Sequence, residues 1–515
     1  MSLSPDLKNF ERLAAQNPGM LIPVTRRFLA DGLTPLAAFR RMPASPYAFL
    51  LESVERGERI GRYSFVGSAP DLIFRGEALP KPRYTLETSD GKRTEHDGDP
   101  LVALEQFLQK HKAIADSGSP IPPFCGGAVG YLGYDVVRLI EPRLAAHPPA
   151  KAGIEGIPDL LVPVYRMVLA FDHVLNTATV VHYADPSQGA RAAHQNAEKA
   201  IETVVASLRA PSSEPLDEIV TPNEGVAEAP VTSNMTPDAY MKCVEKAKEY
   251  IGAGDITQMV PSQRFSRTTK ASPFEVYRSL RAINPSPYMF YLQFGPLHLV
   301  GSSPEVLVRV HDGGIIVRPI AGTRRRGKTP EEDAALAKEL LADPKELAEH
   351  TMLLDLGRND VGRVSEFGSV IVTEQMIIEN YSHVMHIVSN VRGTMRKDSN
   401  VFEVLRSCIP AGTLSGSPKI RAMEIIDEIE PDRRGPYGGA IGVMDFHGNL
   451  NTAIVIRTFI MKDRGDGSYD AHVQAGAGVV ADSVPKVEYE ETVSKAKALL
   501  RALSMAEARL DKTKA

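Results

Sequence analysis

Pro410-Ala411-Gly412-Thr413-Leu414-Ser415-Gly416-Ser417-Pro418-Lys419 is too rich in turn formers to be a core element, and it runs straight into the helical pattern Ile420-Arg421-Ala422-Met423-Glu424-Ile425-Ile426-Asp427. Toward the C-terminus follow Arg434-Gly435-Pro436-Tyr437-Gly438-Gly439-Ala440, an apolar strand Ala453-Ile454-Val455-Ile456-Arg457-Thr458-Phe459 with one arginine inside it, and Gln474-Ala475-Gly476-Ala477-Gly478. Toward the N-terminus, strands are expected at 297–310 and 315–319, and helices at 330–341 and 344–356; 454–460 and 487–503 add a strand and a helix beyond the loop. Earlier still, Ala48-Phe49-Leu50-Leu51-Glu52-Ser53-Val54 and Met167-Val168-Leu169-Ala170-Phe171-Asp172-His173-Val174 read as strands. Few strand–helix–strand units with a parallel period occur. The pattern predicts an α+β fold, mostly antiparallel, with layered sheets flanked by helices. No internal repeat is evident, and the two halves of the chain do not resemble each other in sequence.

At 515 residues, 43% hydrophobic and 24% charged, the chain is long enough for two large domains. Between Arg209 and Pro237 lie Pro211, Pro215, Pro222 and Pro230 among Ser, Asn and acidic residues, a composition that reads as a linker. The expected organisation is therefore an N-terminal domain at 1–208, a linker at 209–235 and a C-terminal domain at 236–510, the last opened by a Thr236 cap with Pro237 at the first helical position. A net charge of -5 gives no reason to expect nucleic acid or an anionic membrane surface. Cys125, Cys243 and Cys408 have neither metal spacing nor an even count, so a reduced, cytoplasmic setting is expected. No basic-then-apolar leader opens the chain, and no apolar run reaches membrane-spanning length.

Two acidic pairs, Glu346/Glu349 and Glu488/Glu491, are each spaced three apart on a predicted helix, so each aims two carboxylates at one point. Magnesium suits such a place, because it takes one or two protein carboxylates and completes its octahedron with water and substrate oxygens. The ordinary reading of a helix glutamate is a solvated face. Asp343-Pro344-Lys345-Glu346 also reads as an N-cap, a first-turn proline and the third-position partner of a capping box. Glu349 points instead at Met352 and Leu353, and Glu491 sits one turn before Lys495 on a helix whose apolar face is Val493, Ala496, Leu499, Leu500 and Leu503. The acidic residues alone leave the question open.

Their company resolves it. The order of these turn-rich runs resembles the chorismate-utilising enzymes, and the match runs through the whole C-terminal half. It continues in Gly254-Asp255-Ile256-Thr257-Gln258-Met259-Val260, Gly301-Ser302-Ser303-Pro304-Glu305, Arg318-Pro319-Ile320-Ala321-Gly322-Thr323-Arg324, Glu349-His350-Thr351-Met352-Leu353-Leu354-Asp355-Leu356-Gly357-Arg358-Asn359-Asp360 and Tyr381-Ser382-His383-Val384-Met385-His386. The N-terminal half adds Leu50-Leu51-Glu52-Ser53 and Pro123-Phe124-Cys125-Gly126-Gly127-Ala128-Val129-Gly130-Tyr131. Within that family the set is most similar to the component I branch of the anthranilate synthases.

The resemblance implies chorismate as substrate and Mg2+ as cofactor, with Glu349 and Glu491 as its ligands and Glu346 and Glu488 acting through water. It implies Glu305 as the acid that protonates the departing C4 hydroxyl, a role that needs a raised pKa; a turn-capping carboxylate is the alternative. Thr413 and His386 complete the implied catalytic set, His386 assisting the second half-reaction, in which the C2 proton is lost and pyruvate expelled. His386 shares a strand face with Val384 and Val388, so a core histidine stays open; His383, on the other face, is the second choice. Substrate binding is implied for Gly322, Thr323, Tyr437, Arg457, Gly476, Ala477, Gly478 and Lys495. Arg457 would fork onto the enolpyruvyl carboxylate, Tyr437, Thr413 and Lys495 would add hydrogen bonds, and glycine N–H groups can form an anion nest.

Two positions bear on the nucleophile. Isochorismate and salicylate synthases of the family carry a water-activating lysine where this chain has Gln258, and 4-amino-4-deoxychorismate synthases commonly carry a nucleophilic lysine where it has Ala321. Ammonia and anthranilate are therefore expected, with 2-amino-2-desoxyisochorismate synthase or 4-amino-4-deoxychorismate synthase as alternatives. No cysteine lies in a Gly-x-Cys-x-Gly elbow, which implies a separate glutamine amidotransferase subunit, component II, as partner. A non-catalytic scaffold would betray itself by a lost acid or ligand, yet Glu305, Glu349, Glu491 and Arg457 are all present. The resemblance further implies feedback by L-tryptophan, bound between Leu51-Glu52-Ser53 and Asn284-Pro285-Ser286-Pro287-Tyr288-Met289. Ser53, Pro287, Tyr288 and Met289 are the candidates, Tyr288 and Met289 lining a slot for the indole; a plain turn before a strand is the alternative reading. The chain itself contains no tryptophan, which suits an enzyme that must be translated when that amino acid is scarce.

Overall fold

The computed structural model describes residues 3–53, 61–114, 120–149, 151–210, 230–381 and 384–514. Most of the expected linker, and His383, lie outside them. The N-terminal half contributes β1 (Ile22–Leu29), β2 (Tyr47–Glu52), β3 (Tyr63–Ser68), β4 (Leu72–Glu77), β5 (Arg83–Thr88), β6 (Arg93–Asp97), β7 (Gly127–Leu132), β8 (Leu160–Tyr165), β9 (Met167–Asp172) and β10 (Thr177–Ala184). Its helices are α1 (Leu7–Gln16), α2 (Pro35–Arg41), α3 (Pro100–Lys110), α4 (Pro142–Ala146) and α5 (Ala190–Arg209).

The C-terminal half contributes β11 (Thr232–Ser233), β12 (Gln258–Met259), β13 (Ser262–Thr269), β14 (Tyr288–Phe294), β15 (Leu297–Ser303), β16 (Val306–His311), β17 (Gly314–Val317), β18 (Ile320–Arg325), β19 (Ile371–Asn380), β20 (Val384–Thr394), β21 (Gly416–Ser417), β22 (Ala440–Asp445), β23 (Leu450–Ile454), β24 (Thr458–Asp463) and β25 (Tyr469–Gly476). Its helices are α6 (Pro237–Gly252), α7 (Pro273–Ile283), α8 (Pro330–Ala342), α9 (Pro344–Gly362), α10 (Val401–Cys408), α11 (Lys419–Ile429) and α12 (Pro485–Lys514).

Among the described residues these strands form two large sheets. One has eleven strands in the order β1-β10-β9-β3-β2-β14-β15-β24-β25-β13-β11; the other has twelve, β18-β20-β17-β16-β23-β22-β7-β8-β4-β5-β6, with β19 also paired to β20. Their ladders are antiparallel, as expected. Phe49, Tyr131, Phe290, Leu292, Leu299 and Ile441 form the core between the sheets. Outside the eleven-stranded sheet pack Phe10, Ile201, Leu280 and Leu499 from α1, α5, α7 and α12, and outside the other pack Leu104, Leu354 and Leu405 from α3, α9 and α10. Four layers result, helix, sheet, sheet, helix. Each apolar side chain fully buried in them contributes about 1.5–3 kcal/mol.

The absence of a repeat is corrected. Counting outward from β2 the first sheet runs β2, β3, β9, β10, β1, and from β14 it runs β14, β15, β24, β25, β13; the second sheet runs β7, β8, β4, β5, β6 on one side and β22, β23, β16, β17, β20 on the other. The two halves trace the same path and meet at two antiparallel seams, β2 against β14 and β7 against β22. They do not separate into two bodies, because each completes both sheets. The sequence hides this, since a shared strand path constrains which positions are apolar and not which residues fill them.

Two expected strands are also corrected. The stretch 297–310 is two strands in different sheets, β15 and β16, with Pro304-Glu305 between them, and the run containing Arg457 breaks between β23 and β24. Arg457 itself has left-handed backbone, φ 52, which suits a sharp exit and not a ladder. The cap expectations hold at two places: Thr236 accepts from Ala239 N, and Asp343 accepts from Lys345 N and Glu346 N. The capping box does not form, because the Glu346 carboxylate is taken by Arg324 (Nη1–Oε1 3.0 Å).

Candidate active site

The strand crossings of the C-terminal half place the acid. Glu305 N–H meets Ser303 Oγ, its carbonyl accepts from Ile454 N at 3.0 Å, and Ser302 N donates to Arg457 O at 3.0 Å, so the two crossings are tied together. The Glu305 side chain is 8% exposed and accepts from Thr413 Oγ1 at 3.1 Å. Burial pushes its carboxyl up to about 8, against the opposing pull of Thr413 and Lys495. The proton on it at neutral pH is the form a general acid needs. Arg457 is half-buried, and its guanidinium makes no hydrogen bond or ion pair among the described residues. Burial holds its pKa down while Tyr437 and Glu491 raise it. A bare guanidinium in such a place calls for an anion.

Helices α9 and α12 bring the four glutamates together. Burial raises the Glu349 carboxyl, and neighbouring Glu346 and Glu491 raise it further. Glu488 is raised by burial and by Glu491, with Ser483 opposing. Lys495 Nζ lies 2.6 Å from Glu491 Oε1 and donates to Gly476 O at 2.9 Å, while Arg324 balances Glu346. Among the described residues no group of three or more His, Cys, Asp or Glu is arranged as a ready metal cluster. Carboxylates that disfavour one another's charge are nonetheless the donor set a hard divalent cation would relieve, and magnesium needs only one or two of them.

Glycine turns wall the same space. Gly322 has φ +67 and sits where the β18–β20 register slips between Ala321 and Thr323; a Cβ there would stand 3.2 Å from Glu346 Oε2. That bulge aims its carbonyl at His386, whose Nδ1 lies 2.9 Å from Gly322 O and 3.1 Å from Thr323 Oγ1. With Nδ1–H on the carbonyl, Nε2 is the basic nitrogen. Burial lowers the imidazole's pKa, opposed by Gly322, with Arg457 and Lys495 adding to the fall. On the other side, a Cβ on Gly476 would be 3.0 Å from Tyr437 Oη, and one on Gly478 would be 2.8 Å from Gln258 Nε2 and 3.9 Å from Glu349 Oε1. Ala477 between them is fully buried. The expected catalytic, binding and acidic residues thus converge on one space.

Two anchors have no counterpart among the expected site residues. Arg434 is fully buried and pairs with Glu430 at 2.6 Å; it also donates to Leu414 O and Val260 O at 2.6 Å and lies 5.6 Å from the Tyr437 ring. It ties the turn-rich loop to the link between β12 and β13. Lys419 Nζ contacts both Asp360 oxygens at 3.0 Å, pinning the loop's far end to the end of α9. Both residues stand inside quoted motifs, yet apart from Glu430, four residues before Arg434, their partners lie 20 or more residues away, so local spacing does not mark them.

The tryptophan candidates stand apart, on the seam. Glu52 faces Met289 in the β2–β14 ladder, and its carboxylate accepts from Tyr277 Oη at 2.6 Å and Arg281 Nε at 3.0 Å. Ser53 Oγ is buried with no hydrogen-bond partner among the described residues, and half-buried Pro287 lies in the turn before β14. Tyr288 and Met289 leave the strand on opposite faces: Tyr288 Oη meets Arg309 and Asn451 at 3.0 and 3.2 Å, whereas Met289 joins the core under α7. One slot lined by both side chains is therefore not formed.

A family model described as chorismate binding enzyme matches residues 37–501. The chain is 46% identical over 509 residues to anthranilate synthase component 1 of Pseudomonas aeruginosa, covering 97% of this chain and 99% of that one. It is also 46% identical over 487 residues to the component 1 protein of Acetivibrio thermocellus, covering 94% and 96%. The crystal structure of anthranilate synthase component I from Streptococcus pneumoniae superposes with TM-score 0.74 at 36% identity, over 92% of this chain and 99% of that one. The menaquinone-specific isochorismate synthase of Escherichia coli shares the fold at TM-score 0.68 and 18% identity, over 96% and 98%.

Proposed function

Because the chain belongs to the chorismate binding enzymes, and within them to the anthranilate synthase component 1 proteins, we propose that it aminates chorismate at C2 with ammonia and then eliminates pyruvate to give anthranilate. The observation that carries the reading is Glu305, a buried carboxyl pushed up to about 8 at one strand crossing, with the bare guanidinium of Arg457 at the crossing tied to it through the backbone. Arg457 holds the enolpyruvyl carboxylate through a planar fork, and Tyr437, Lys495 and the Gly476–Gly478 backbone fix the rest of the molecule. Glu305 gives its proton to the departing C4 hydroxyl, with Thr413 orienting the carboxyl. His386, basic at Nε2, serves the removal of the C2 proton. Glu349 and Glu491, backed by Glu346 and Glu488, would hold Mg2+, which when bound offsets carboxylate charge on the substrate.

Gln258 and Ala321 stand where sister enzymes use lysine, which favours ammonia over water or an enzyme amine as nucleophile. The "component 1" of the relatives' names supports a second subunit, which we take to be the glutaminase that supplies the ammonia. L-Tryptophan is proposed to bind at the β2–β14 seam near Ser53, Pro287, Tyr288 and Met289, where both halves could respond to it. The test is purified chain with chorismate, Mg2+ and ammonium, following anthranilate fluorescence and pyruvate together. Both products should appear and vanish with EDTA. Amination without pyruvate would favour 2-amino-2-desoxyisochorismate or 4-amino-4-deoxychorismate as product, and a rate indifferent to EDTA would remove the metal assignment.

A further inference from the structure

Helix α9 carries Glu346 and Glu349, yet its grip on the protein begins only after them. No residue from Pro344 to Glu349 is buried; the buried face runs His350, Leu353, Leu354, Gly357 and Val361. Leu354 and Val361 join the core outside the twelve-stranded sheet. His350 is the one polar side chain on that face, 0% exposed, and it stands within one helical turn of both glutamates. Its Nε2 lies 2.6 Å from Ser389 Oγ in β20, while Nδ1 is buried with no partner among the described residues. The ring is therefore held by a single bond. Ser389 is fully buried as well, and its hydroxyl also accepts from Met376 N at 2.9 Å. Met376 has left-handed backbone, φ 52, where the β19–β20 register slips between Glu374 and Ile377. One hydroxyl thus joins the bulge of β19, the strand that carries His386 three residues earlier, and the helix that carries the carboxylates.

A leucine at 350 would continue the apolar face at less cost, since a half-paired imidazole in the core gives up hydration that it does not fully recover. What leucine lacks is direction. Apolar contacts tolerate a small turn or slide of the helix, whereas a buried hydrogen bond admits one rotation and one register. With no exposed surface the ring touches no substrate. We propose that His350 is a positioning residue: its bond to Ser389 locks the first turns of α9 to β20, so that Glu346 and Glu349 meet Glu488 and Glu491 at the spacing Mg2+ needs. This rests on the metal assignment above.

His350→Phe keeps a ring and removes the bond, Ser389→Ala removes it from the other side, and His350→Gln puts an amide where Nε2 stands. Mg2+ is titrated calorimetrically into chorismate-saturated protein with no nitrogen source, so that binding is read without turnover, and melting temperature is followed beside it. The Kd for Mg2+ should rise about tenfold in His350→Phe and in Ser389→Ala, the scale on which groups that orient metal ligands act. The double variant should show no further rise, because both changes break the same bond. His350→Gln should stay within about threefold of the wild type. With ammonium added and Mg2+ saturating, the KM for chorismate should move by less than about twofold in each variant. A lowered melting temperature with an unchanged Kd for Mg2+ overturns the proposal and leaves His350 a packing residue, as does a Gln variant no better than Phe. Should His350→Phe fail to fold, Ser389→Ala and His350→Gln carry the same test. A wild type that binds no Mg2+ would sink the metal assignment and this proposal together, whereas equal affinity in wild type and variants sinks this proposal alone.

Discussion

The N-terminal and C-terminal halves cross between the same two sheets at matching points, and only one of them closes water off from the carboxyl at the crossing. In both, a carboxylate immediately precedes one strand and an arginine immediately precedes another: Asp71 before β4 and Arg166 before β9, Glu305 before β16 and Arg457 before β24. Arg166 N donates to Asp71 Oδ2 at 3.1 Å and its side chain stands 3.9 Å from that carboxylate, a half-open ion pair with the Asp71 side chain 46% exposed. Glu305 is 8% exposed and its arginine neighbour is left bare. The cause is insertion. Where β5 passes directly to β6, the C-terminal half interposes β18, α8, α9 and β19 between β17 and β20, and adds the 410–419 loop after α10. Those inserted segments carry Gly322, Thr323, Glu346, Glu349 and Thr413. Burial raises both carboxyls, but Arg166 pulls Asp71 back toward its charged form, whereas Glu305, under the covering layer, is pushed up to about 8 despite Thr413 and Lys495.

The strongest attempt to break this contrast is a pair of neutralisations. Glu305→Gln should lose roughly 10²–10⁴-fold in kcat with little change in chorismate KM, whereas Asp71→Asn should stay within about twofold; equal losses would erase the distinction. The arginines come next. Arg457→Ala should cost about 10²-fold in kcat/KM, as expected for charge-assisted hydrogen bonds to a substrate carboxylate, and Arg166→Ala should leave steady-state rates nearly unmoved. A pH profile sharpens the comparison further. Because the Glu305 carboxyl is raised to about 8 and acts in its protonated form, kcat/KM at constant free ammonia should fall as pH rises through that value. Its contribution to stability has the same sign, present at acid pH and lost as pH rises from the ordinary carboxylate range toward about 8. Asp71→Asn should leave that falling limb in place. The smallest effect on turnover is expected at the seam, where Ser53→Arg or Met289→Thr should weaken L-tryptophan inhibition several-fold while the uninhibited rate changes by less than about twofold. Wild-type sensitivity in both variants would move the regulatory site elsewhere.

Much of the active half was legible because its signals are local. Asp343-Pro344 announces α9, Thr236-Pro237 announces α6, and the turn formers from Pro410 to Lys419 mark a loop that must leave the core. The crossings were not legible. Val455 and Ile456 stay apolar through the break, since a chain passing from one sheet to the next remains inside the protein, and hydrophobic pattern reports burial without reporting which sheet provides it. The fate of Glu346 was misjudged for a related reason: the capping-box pattern is satisfied in sequence, but Arg324, distant along the chain, competes for the carboxylate and wins with a charge-assisted bond. Arg434 is the extreme case: besides both oxygens of nearby Glu430 it takes the carbonyls of Val260 and Leu414, which no local pattern ties to it.

The two seams also decide how the protein can be cut. A fragment starting at the linker would keep every residue assigned to the chemistry, yet it would expose the inner edges of β14 and β22, each a row of unpaired N–H and C=O groups flanked by Tyr288, Phe290 and Leu292 or by Ile441 and Met444. Long apolar strand edges recruit other strands and drive aggregation. The N-terminal half is thus the permanent neighbour that keeps those edges closed, and co-expression of the two halves should rescue solubility that neither has alone.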